Sequence, residues 1–495
     1  MPLDRYRSII PDWEAFHRAS HAPEPPAIRV RKGLADPARV RDRLQERGFR
    51  LTPVEGLEGT FRVDDGPGSV AQTPEHWLGL FHVQQAVMAL PSLALGPRPG
   101  ERVLDLCAAP GGKTVHMAEL MEDRGPLVAV DPKEKRLRGL LGNVYRLGHP
   151  NVLVVAADGR ELPGGALFDR VLVDAPCSAE GNYRRKEGRL PERSADFVRY
   201  VTGLQEALLR RGVELARPGG VVVYATCTFA PEENEAVVAR ILEEGGVELE
   251  EIGLDLPRAA GILEWEGRRF PPEMAHAWRV YPQHLDSGGM FMARLRKEGS
   301  PPPEADELRS DRSGPDGWTP VPPAFPGDDE SAARERIDAA RTELRDRYGM
   351  DPALLDELGW MVRGENLWVH TAGEWPMEAW GPETGAWRVV SLGLRAMKRR
   401  RDGLETPSNH FMGRFGPDFG DDRKVSLDPP SLGRILSGES LPSEGLPVGP
   451  VALTWEGRVL GRGMVGRSGL RSEIGKADGK RLRAVVGTIR GDAST

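Results

Sequence analysis

Three cysteines and one glycine-rich turn are the residues of this 495-residue chain best suited to chemistry. Cys107 lies in V-L-D-L-C-A-A-P-G-G-K-T (Val103 to Thr114), Cys177 in D-A-P-C-S-A-E-G (Asp174 to Gly181) and Cys227 in Y-A-T-C-T-F (Tyr224 to Phe229). In the first stretch an apolar run ends in Asp105, passes through Pro110-Gly111-Gly112 and opens a helix with Lys113-Thr114. Glycines at such a junction permit positive φ and close approach of backbone to a ligand, and the helix N-terminus behind them offers unpaired N–H groups. A nucleotide-like cofactor suits that turn. The pattern is neither the phosphate loop, which needs four residues between its Gly and its Gly-Lys-Ser/Thr, nor G-x-G-x-x-G. Cys107 reads as a small buried hydrophobe. Cys177 and Cys227 each follow a strand end among small polar residues, and two thiols facing one ligand site point to a nucleophile.

The elements that must position these residues alternate between strand and helix. Leu127 to Val130 is a strand ending in Asp131, and Lys133 to Leu147 a helix. Val152 to Val155 is a strand followed by Asp158, and Arg170 to Val173 one ending in Asp174. Tyr200 to Arg217 is an amphipathic helix stopped by Pro218-Gly219-Gly220, Val221 to Ala225 a buried strand, and Met290 to Leu295 a late strand. Such alternation, with right-handed crossovers, predicts a mostly parallel doubly wound sheet, whose ligands sit beyond the carboxyl ends of its strands. Asp105, Asp131, Asp158 and Asp174 all fall at those ends and together favour a ligand rim over four separate helix caps. Upstream, Leu78, Phe81, Val87 and Leu90 are spaced for a packing helix within Pro74 to Leu95.

Composition bounds the rest. Hydrophobic residues at 39% and charged ones at 28% are globular values, and the length suggests about three domains. No apolar stretch approaches the ~20 residues of a membrane span, and the polar N-terminus lacks a signal-peptide core, so a cytoplasmic protein without membrane contact is expected. Three widely spaced cysteines fit neither a disulfide framework nor a zinc site, and no metal is expected. Net charge is −7, yet Ser391 to Thr495 carries 18 Lys and Arg against 12 Asp and Glu. A basic terminal module can supply phosphate contacts on an acidic chain. The expected organisation is a small α/β appendage over 1–75, a cofactor-binding domain over 76–298, a Pro-rich linker over 299–330, a small domain over 331–393 and a basic β-rich module over 394–495. Strand signals in that module fall at Gly449 to Thr454, Arg458 to Gly461 and Leu482 to Thr488.

L-D-L-C-A-A-P-G-G-K-T, D-A-P-C-S-A-E-G, A-T-C-T and the following P-E-E-N-E (Pro231 to Glu235) together resemble the signatures of the RNA cytosine-5 methyltransferases that use S-adenosylmethionine, over about Gln72 to Lys297. The resemblance implies a Rossmann-like methyltransferase core, with α+β and PUA-like C-terminal modules. The layout is similar to members that modify 16S rRNA, which implies that RNA within the small ribosomal subunit is the partner. It implies further that Cys107, Ala108, Ala109, Pro110, Gly111, Gly112 and Lys113 line the methionine moiety of the cofactor. Asp131 would hold its ribose hydroxyls, Asp158 would lie by the adenine, and Asp174 would border both cofactor and base. Cys227 matches the nucleophile and Cys177 the cysteine that assists release. A free thiol titrates near ~8.5, so Cys227 needs a neighbour that favours its thiolate, such as Lys113 or a helix N-terminus. The target base must be unstacked to be reached, which selects exposed RNA.

The chain departs from the family pattern at Ala179, where Gly is usual, at Ala225, where Ser is common, and at Gln84-Gln85-Ala86-Val87, where an acid and serines are usual. Arg184, Arg185 and Lys186, beside the second motif, and Arg395, Lys398, Arg399, Arg400 and Arg401 are expected to meet RNA phosphates. Two alternatives stand: a tRNA substrate with the same chemistry, and a non-catalytic ribosome-assembly factor retaining the fold. Retention of both Cys177 and Cys227 argues against the second. A DNA cytosine-5 enzyme would use the Pro-Cys cysteine and lack the one in Thr-Cys-Thr, and an amino-group methyltransferase would show Pro-Pro-aromatic where this chain has Ala175-Pro176-Cys177.

Overall fold

The computed structural model describes residues 2–190, 193–300, 317–376, 387–399 and 405–475, and the single positions 380, 479 and 482. An antiparallel four-stranded sheet comes first: β1 Ala27–Val30, β2 Arg50–Pro53, β3 Thr60–Asp65 and β4 Phe81–Gln84, in the order β2-β3-β1-β4. Pro37–Glu46 forms the helix that covers it, and Ile28, Val30, Leu44 and Phe61 fill a core of its own. The helix expected across Pro74 to Leu95 does not form as one piece. A single turn at Pro74–Trp77 gives way to β4, and helix resumes as a 3-10 turn at Ala86–Ala89 that runs into the α-helix Leu90–Leu95. Gly79 breaks the run with φ +68°, and the 81–84 segment pairs with β1, whose ladder outweighs the local helical spacing. The first sheet therefore extends beyond residue 75.

The central sheet is built from β5 Val103–Asp105, β6 Leu127–Val130, β7 Val152–Ala157, β8 Phe168–Asp174 and β9 Ala216–Thr226, joined by β10 Trp278–Val280, β11 Met290–Lys297 and β12 Trp387–Leu392. Their order is β10-β11-β9-β8-β5-β6-β7-β12. The five from β9 through β8, β5 and β6 to β7 are parallel, while β11 and β12 flank them antiparallel. Val152, Leu153, Val154 and Val155 are all buried, the continuous apolar run expected of a strand covered on both faces. The chain leaves β5 toward β6 on one side and returns through β8 and β9 on the other, so the strand order reverses beside β5. That is where a doubly wound sheet opens its ligand crevice. Pro218-Gly219-Gly220 does not stop a helix here. The helix Ala195–Leu215 has already ended, and the Pro-Gly-Gly lies within β9.

Three attachments make the flanks part of this body. Tyr6 and Phe16 are fully buried in its core, Phe16 meeting Phe229 edge-on at 5.4 Å. Arg29 pairs with Glu119, and Arg31 with Asp123 at 2.9 Å, clamping the first sheet to the helix Gly112–Leu120 and the turn after it. Beyond 317 the expected linker is anchored: Trp318 is buried, donates from Nε1 to the Leu167 carbonyl at 3.2 Å and packs on Phe168. Residues 301–316, in its middle, lie outside the described residues. β12 extends the central sheet, while Leu394–Arg399, next in sequence, joins the antiparallel sheet of Gly359–Arg363, Asn366–His370 and Glu405–Pro407. The expected boundary at 393 thus cuts between strands shared by two sheets. A last sheet holds Lys424–Ser426, Gly449–Trp455, Arg458–Gly466 and Gly469–Ser472. Of the strand expected at Leu482 to Thr488, all but Leu482 lies outside the described residues, as do Arg400 and Arg401. Among the described residues no helix is long and apolar enough to cross a membrane.

Candidate active site

The crevice beyond β5, β8 and β9 collects most of the residues singled out from the sequence. β5 ends in Asp105, which is fully buried and accepts from Thr114 Oγ1 at 2.6 Å, tying the strand to the helix that follows the turn. Burial pushes the Asp105 carboxyl up to about 7, with the nearby Asp174 adding to the effect. Its Oδ1 has no hydrogen-bond partner. Gly111 has φ +103°, and a Cβ there would stand 2.7 Å from Leu140 Cδ1 and 3.1 Å from Leu140 Cα. Only glycine lets the turn close against the helix Glu134–Leu147. Asp131, at the end of β6, is buried. Its Oδ1 accepts from the Lys133 N–H at 2.9 Å, and its Oδ2 stands 2.9 Å from Arg136 Nη1. Asp158 caps the turn Gly159–Glu161 through the Arg160 N–H and holds the Arg160 guanidinium, which keeps its carboxyl below the usual range.

These residues fit the S-adenosylmethionine that the sequence resemblance implies. The orphaned Asp105 oxygen can accept from an ammonium group. The glycine turn leaves room for a ligand against the backbone of 107–112, and the buried Asp131 stands at the neighbouring strand end, where a carboxylate can accept from two hydroxyls. Among the described residues no group of His, Cys, Asp or Glu could hold a metal ion.

The thiols differ sharply in environment. Cys107 sits among carboxylates: burial, then Asp174, Asp105 and Asp131, push its thiol well up, which disfavours a nucleophilic role. Cys177 and Cys227 face each other with Sγ atoms 3.4 Å apart, and Asn182 Nδ2 donates to Cys227 Sγ at 3.4 Å. The hydrogen bond from Cys177 holds Cys227 below the ordinary thiol range, against burial and Asp174, with Lys113 and Lys186 helping. The same bond, followed by burial, pushes Cys177 well up. Cys227 is therefore the sulfur poised as thiolate and Cys177 the one poised as thiol. Lys113 Nζ is itself bound to Asp174 Oδ2 at 2.7 Å, so its help to Cys227 comes through space. The main neighbour favouring the thiolate is the second cysteine.

A set of buried polar residues that sequence reasoning left without roles fixes the two cysteine segments to each other. Gly181 donates its N–H to the Cys227 carbonyl at 2.8 Å, and a Cβ on Gly181 would stand 2.4 Å from the Gly289 carbonyl. Ser178 and Thr228 hydroxyls meet at 2.7 Å, and Thr228 also donates to Glu180 at 2.9 Å. The P-E-E-N-E segment supplies the rest: Glu233 accepts from the Ser178 N–H at 2.9 Å, and Asn234 accepts from Thr226 Oγ1 while donating to the Thr228 carbonyl. Of the three acids in these five residues Glu233 and Glu235 are fully buried, which marks a structural role, since buried carboxylates need several donors. Ala179 takes the left-handed conformation, φ +57°, which explains why glycine is usual there. Arg184 corrects an expectation. It is buried, and its guanidinium donates to the carbonyls of Ala22, Pro23 and Ser287 and to Asp286, so it braces the fold instead of meeting RNA. Arg185 and Lys186 are exposed.

A family model described as 16S rRNA methyltransferase RsmB/F matches residues 92–296. The chain is 35% identical over 297 residues to the tRNA (cytosine(49)-C(5))-methyltransferase of Pyrococcus abyssi, covering 60% of this chain and 95% of that protein. It is 30% identical over 474 residues to ribosomal RNA small subunit methyltransferase F of Vibrio atlanticus, covering 93% of each. It is 33% identical over 338 residues to the human 28S rRNA (cytosine(4447)-C(5))-methyltransferase, of which it spans only 41%. A solved structure of a methyltransferase homolog from Pyrococcus horikoshii, 32% identical, matches 60% of this chain and 98% of its own with TM-score 0.52.

Proposed function

The chain belongs to the RNA cytosine-C5 methyltransferase family, and from that premise we propose that it methylates a cytosine of 16S rRNA through a covalent bond between Cys227 and carbon 6 of the base. The observation that supports the choice of substrate is the reach of the likeness to the Vibrio small-subunit enzyme, 93% of both chains, into the C-terminal sheets. The archaeal tRNA enzyme is similar over 60% of this chain. A tRNA cytosine is the second reading, favoured by the higher identity of that shorter match.

Carbon 5 of cytosine is too weak a nucleophile to take a methyl group unaided. The Cys227 thiolate adds to carbon 6, the ring electrons move to carbon 5 as an enamine, and the Lys113–Asp174 pair holds the base edge where charge builds. S-adenosylmethionine, held by residues 107–113, Asp131, Asp158 and Asp174, supplies the electrophilic methyl carried on a sulfonium. Carbon 5 then bears a proton and a methyl group. Cys177 assists removal of that proton, the 5,6 double bond re-forms, and the Cys227 thiolate leaves. The sulfur separation of 3.4 Å suits this division of labour, because carbons 5 and 6 are bonded neighbours and a sulfur beside the one on carbon 6 is within reach of carbon 5.

The test is transfer of labelled methyl to small subunits, naked 16S rRNA and bulk tRNA by wild type, Cys227→Ala and Cys177→Ala, resolved on denaturing gels. Wild type should label 16S rRNA, Cys227→Ala nothing, and Cys177→Ala should leave a protein–RNA adduct that survives denaturation. Label confined to tRNA overturns the substrate. Full activity of Cys227→Ala overturns the adduct.

A further inference from the structure

A wide cleft lies away from the cysteines. It measures about 1480 Å³ and opens between the segment before β4, the end of the helix Glu134–Leu147, and the two C-terminal sheets. That helix begins just after Asp131 at the cofactor rim and runs back along the sheet, so at 1.5 Å per residue the cleft is roughly 20 Å from the chemistry. Its volume exceeds the range of small-molecule pockets, about 300–1,000 Å³.

Its lining is cationic. Seven Lys and Arg residues face two glutamates, Glu456 and Glu473, and each glutamate is already paired, with Arg43 and with Arg462 respectively. Four of the cations have no carboxylate at ion-pair distance among the described residues. Arg146 donates to the His76 and Phe81 carbonyls and to the His82 ring. Arg458 donates to the Leu34 carbonyl at 3.4 Å. Arg395 lies over the Trp368 ring and Arg414 over Phe415. Burial holds Arg146 down to about 10, still charged but short of both solvent and counter-ion. Unpaired guanidinium groups converging on one wide cleft lack an anion, and the planar fork of Arg is matched to phosphate oxygens.

We propose that this cleft is a second RNA site, which grips the phosphodiester backbone of a substrate segment roughly 20 Å from the target cytosine. The proposal rests on the assignment of RNA as substrate, and it makes the C-terminal region a reader of folded RNA instead of a second contact on the target strand. A short single strand carrying the cytosine reaches the cysteines without entering the cleft. A large folded RNA engages both.

The experiment compares wild type with the Arg414→Glu/Arg458→Glu pair and with the Arg414→Lys/Arg458→Lys pair, after thermal unfolding and S-adenosylmethionine binding have matched wild type. Affinity for transcribed 16S rRNA, bulk tRNA and a short cytosine oligonucleotide is measured against salt, and KM and kcat follow on whichever RNA is methylated. The Glu pair should lose on the order of tenfold in affinity for long RNA and lower its log–log salt slope by roughly 2. The ratio of long-RNA to short-RNA KM should rise accordingly, with kcat held, and the Lys pair should recover most of the loss. Equal losses on long and short RNA, or none on either, overturn the cleft assignment. Inorganic phosphate binding to wild type while long-RNA affinity stays untouched in the Glu pair marks a small-anion site and overturns it too. A wild type that methylates no RNA defeats the functional assignment, a result distinct from all of these.

Discussion

Removing the Cys177 thiol tests the electrostatic design of the site without RNA. In the protein Cys227 Sγ accepts from Cys177 Sγ at 3.4 Å, the largest influence holding its thiol below the ordinary range. Cys177→Ala deletes that donor and leaves the weaker contributions of Lys113, Lys186 and the Asn182 amide opposing burial and Asp174. A thiol is a weak donor, but its partner here is a buried anion, so the loss is on the order of 1–2 kcal/mol. At pH values below the Cys227 pKa that leaves roughly 5- to 30-fold less thiolate. The assay is iodoacetamide alkylation across pH, with the rate at the Cys227 peptide read by mass. Wild type should alkylate at Cys227 before Cys107. The Ala variant should be slower by that factor at pH values below the Cys227 pKa and converge with wild type at high pH, where Cys227 is ionised in both proteins. Cys177→Ser, keeping a hydroxyl donor, should fall nearer wild type. An Ala variant that alkylates as fast as wild type below that pKa refutes the assignment of Cys177 as the activating donor.

Three further outcomes can be measured. Gly111→Ala must place a methyl against Leu140 at φ +103°, so it should destabilise by about 2–3 kcal/mol and abolish S-adenosylmethionine retention in equilibrium dialysis. Ala179→Gly relieves a left-handed alanine and should raise unfolding free energy by about 0.5–1 kcal/mol, seen as a higher Tm; a lower Tm would show that the loop holds this conformation without strain. Glu119 is pushed up by burial but brought down to about 2 by Arg29 and His149. Its folded pKa lies below the ordinary 4.5, so its contribution, about 3 kcal/mol, is present above pH 4.5 and lost as pH falls toward 2. Chemical unfolding across that window should show the loss, and Glu119→Gln should flatten it.

Legibility followed the kind of force involved. The parallel strands were readable because their signal is local: Leu127–Val130 and Val152–Val155 are apolar runs between turn residues, and each is buried on both faces. The same local reasoning misjudged Phe81–Gln84, where helical spacing lost to pairing with β1 across more than fifty residues of sequence. It could not foresee β12, which comes from beyond the Pro-rich stretch to cover the edge of β7. Within the site, the cysteines, the glycine turn and the strand-end acids were visible by type and position. The donor that tunes Cys227 was sought among cations and helix ends. It proved to be the neighbouring thiol, a contact made by folding two segments fifty residues apart onto one another. Arg184 shows the opposite error: charge density in sequence says nothing about whether a guanidinium meets solvent or four partners inside.

That thiol pair also solves a problem of timing in the proposed reaction. At the start one sulfur must be anionic and the other must not compete with it. The shared hydrogen bond lowers Cys227 and raises Cys177, which enforces a single negative charge between them. Once Cys227 is bonded to carbon 6 it carries no charge, and the first cause of the upward push on Cys177 is gone. Cys177 can then lose its own proton to solvent and stand as the thiolate that takes the proton from carbon 5. Restoring the 5,6 double bond returns the charge to Cys227 and the proton to the pair, resetting the site. The stitching of Ser178, Glu180 and Gly181 to Thr228 and Cys227, and of Ser178 to Glu233, is what this arrangement requires, because a coupling carried by one sulfur contact of 3.4 Å does not survive independent motion of its two segments. Under this account a substitution that loosens the stitching, such as Glu233→Gln, should blunt both the activation of Cys227 and the release step, whereas Cys177→Ala at high pH should spare the first and still stall the second.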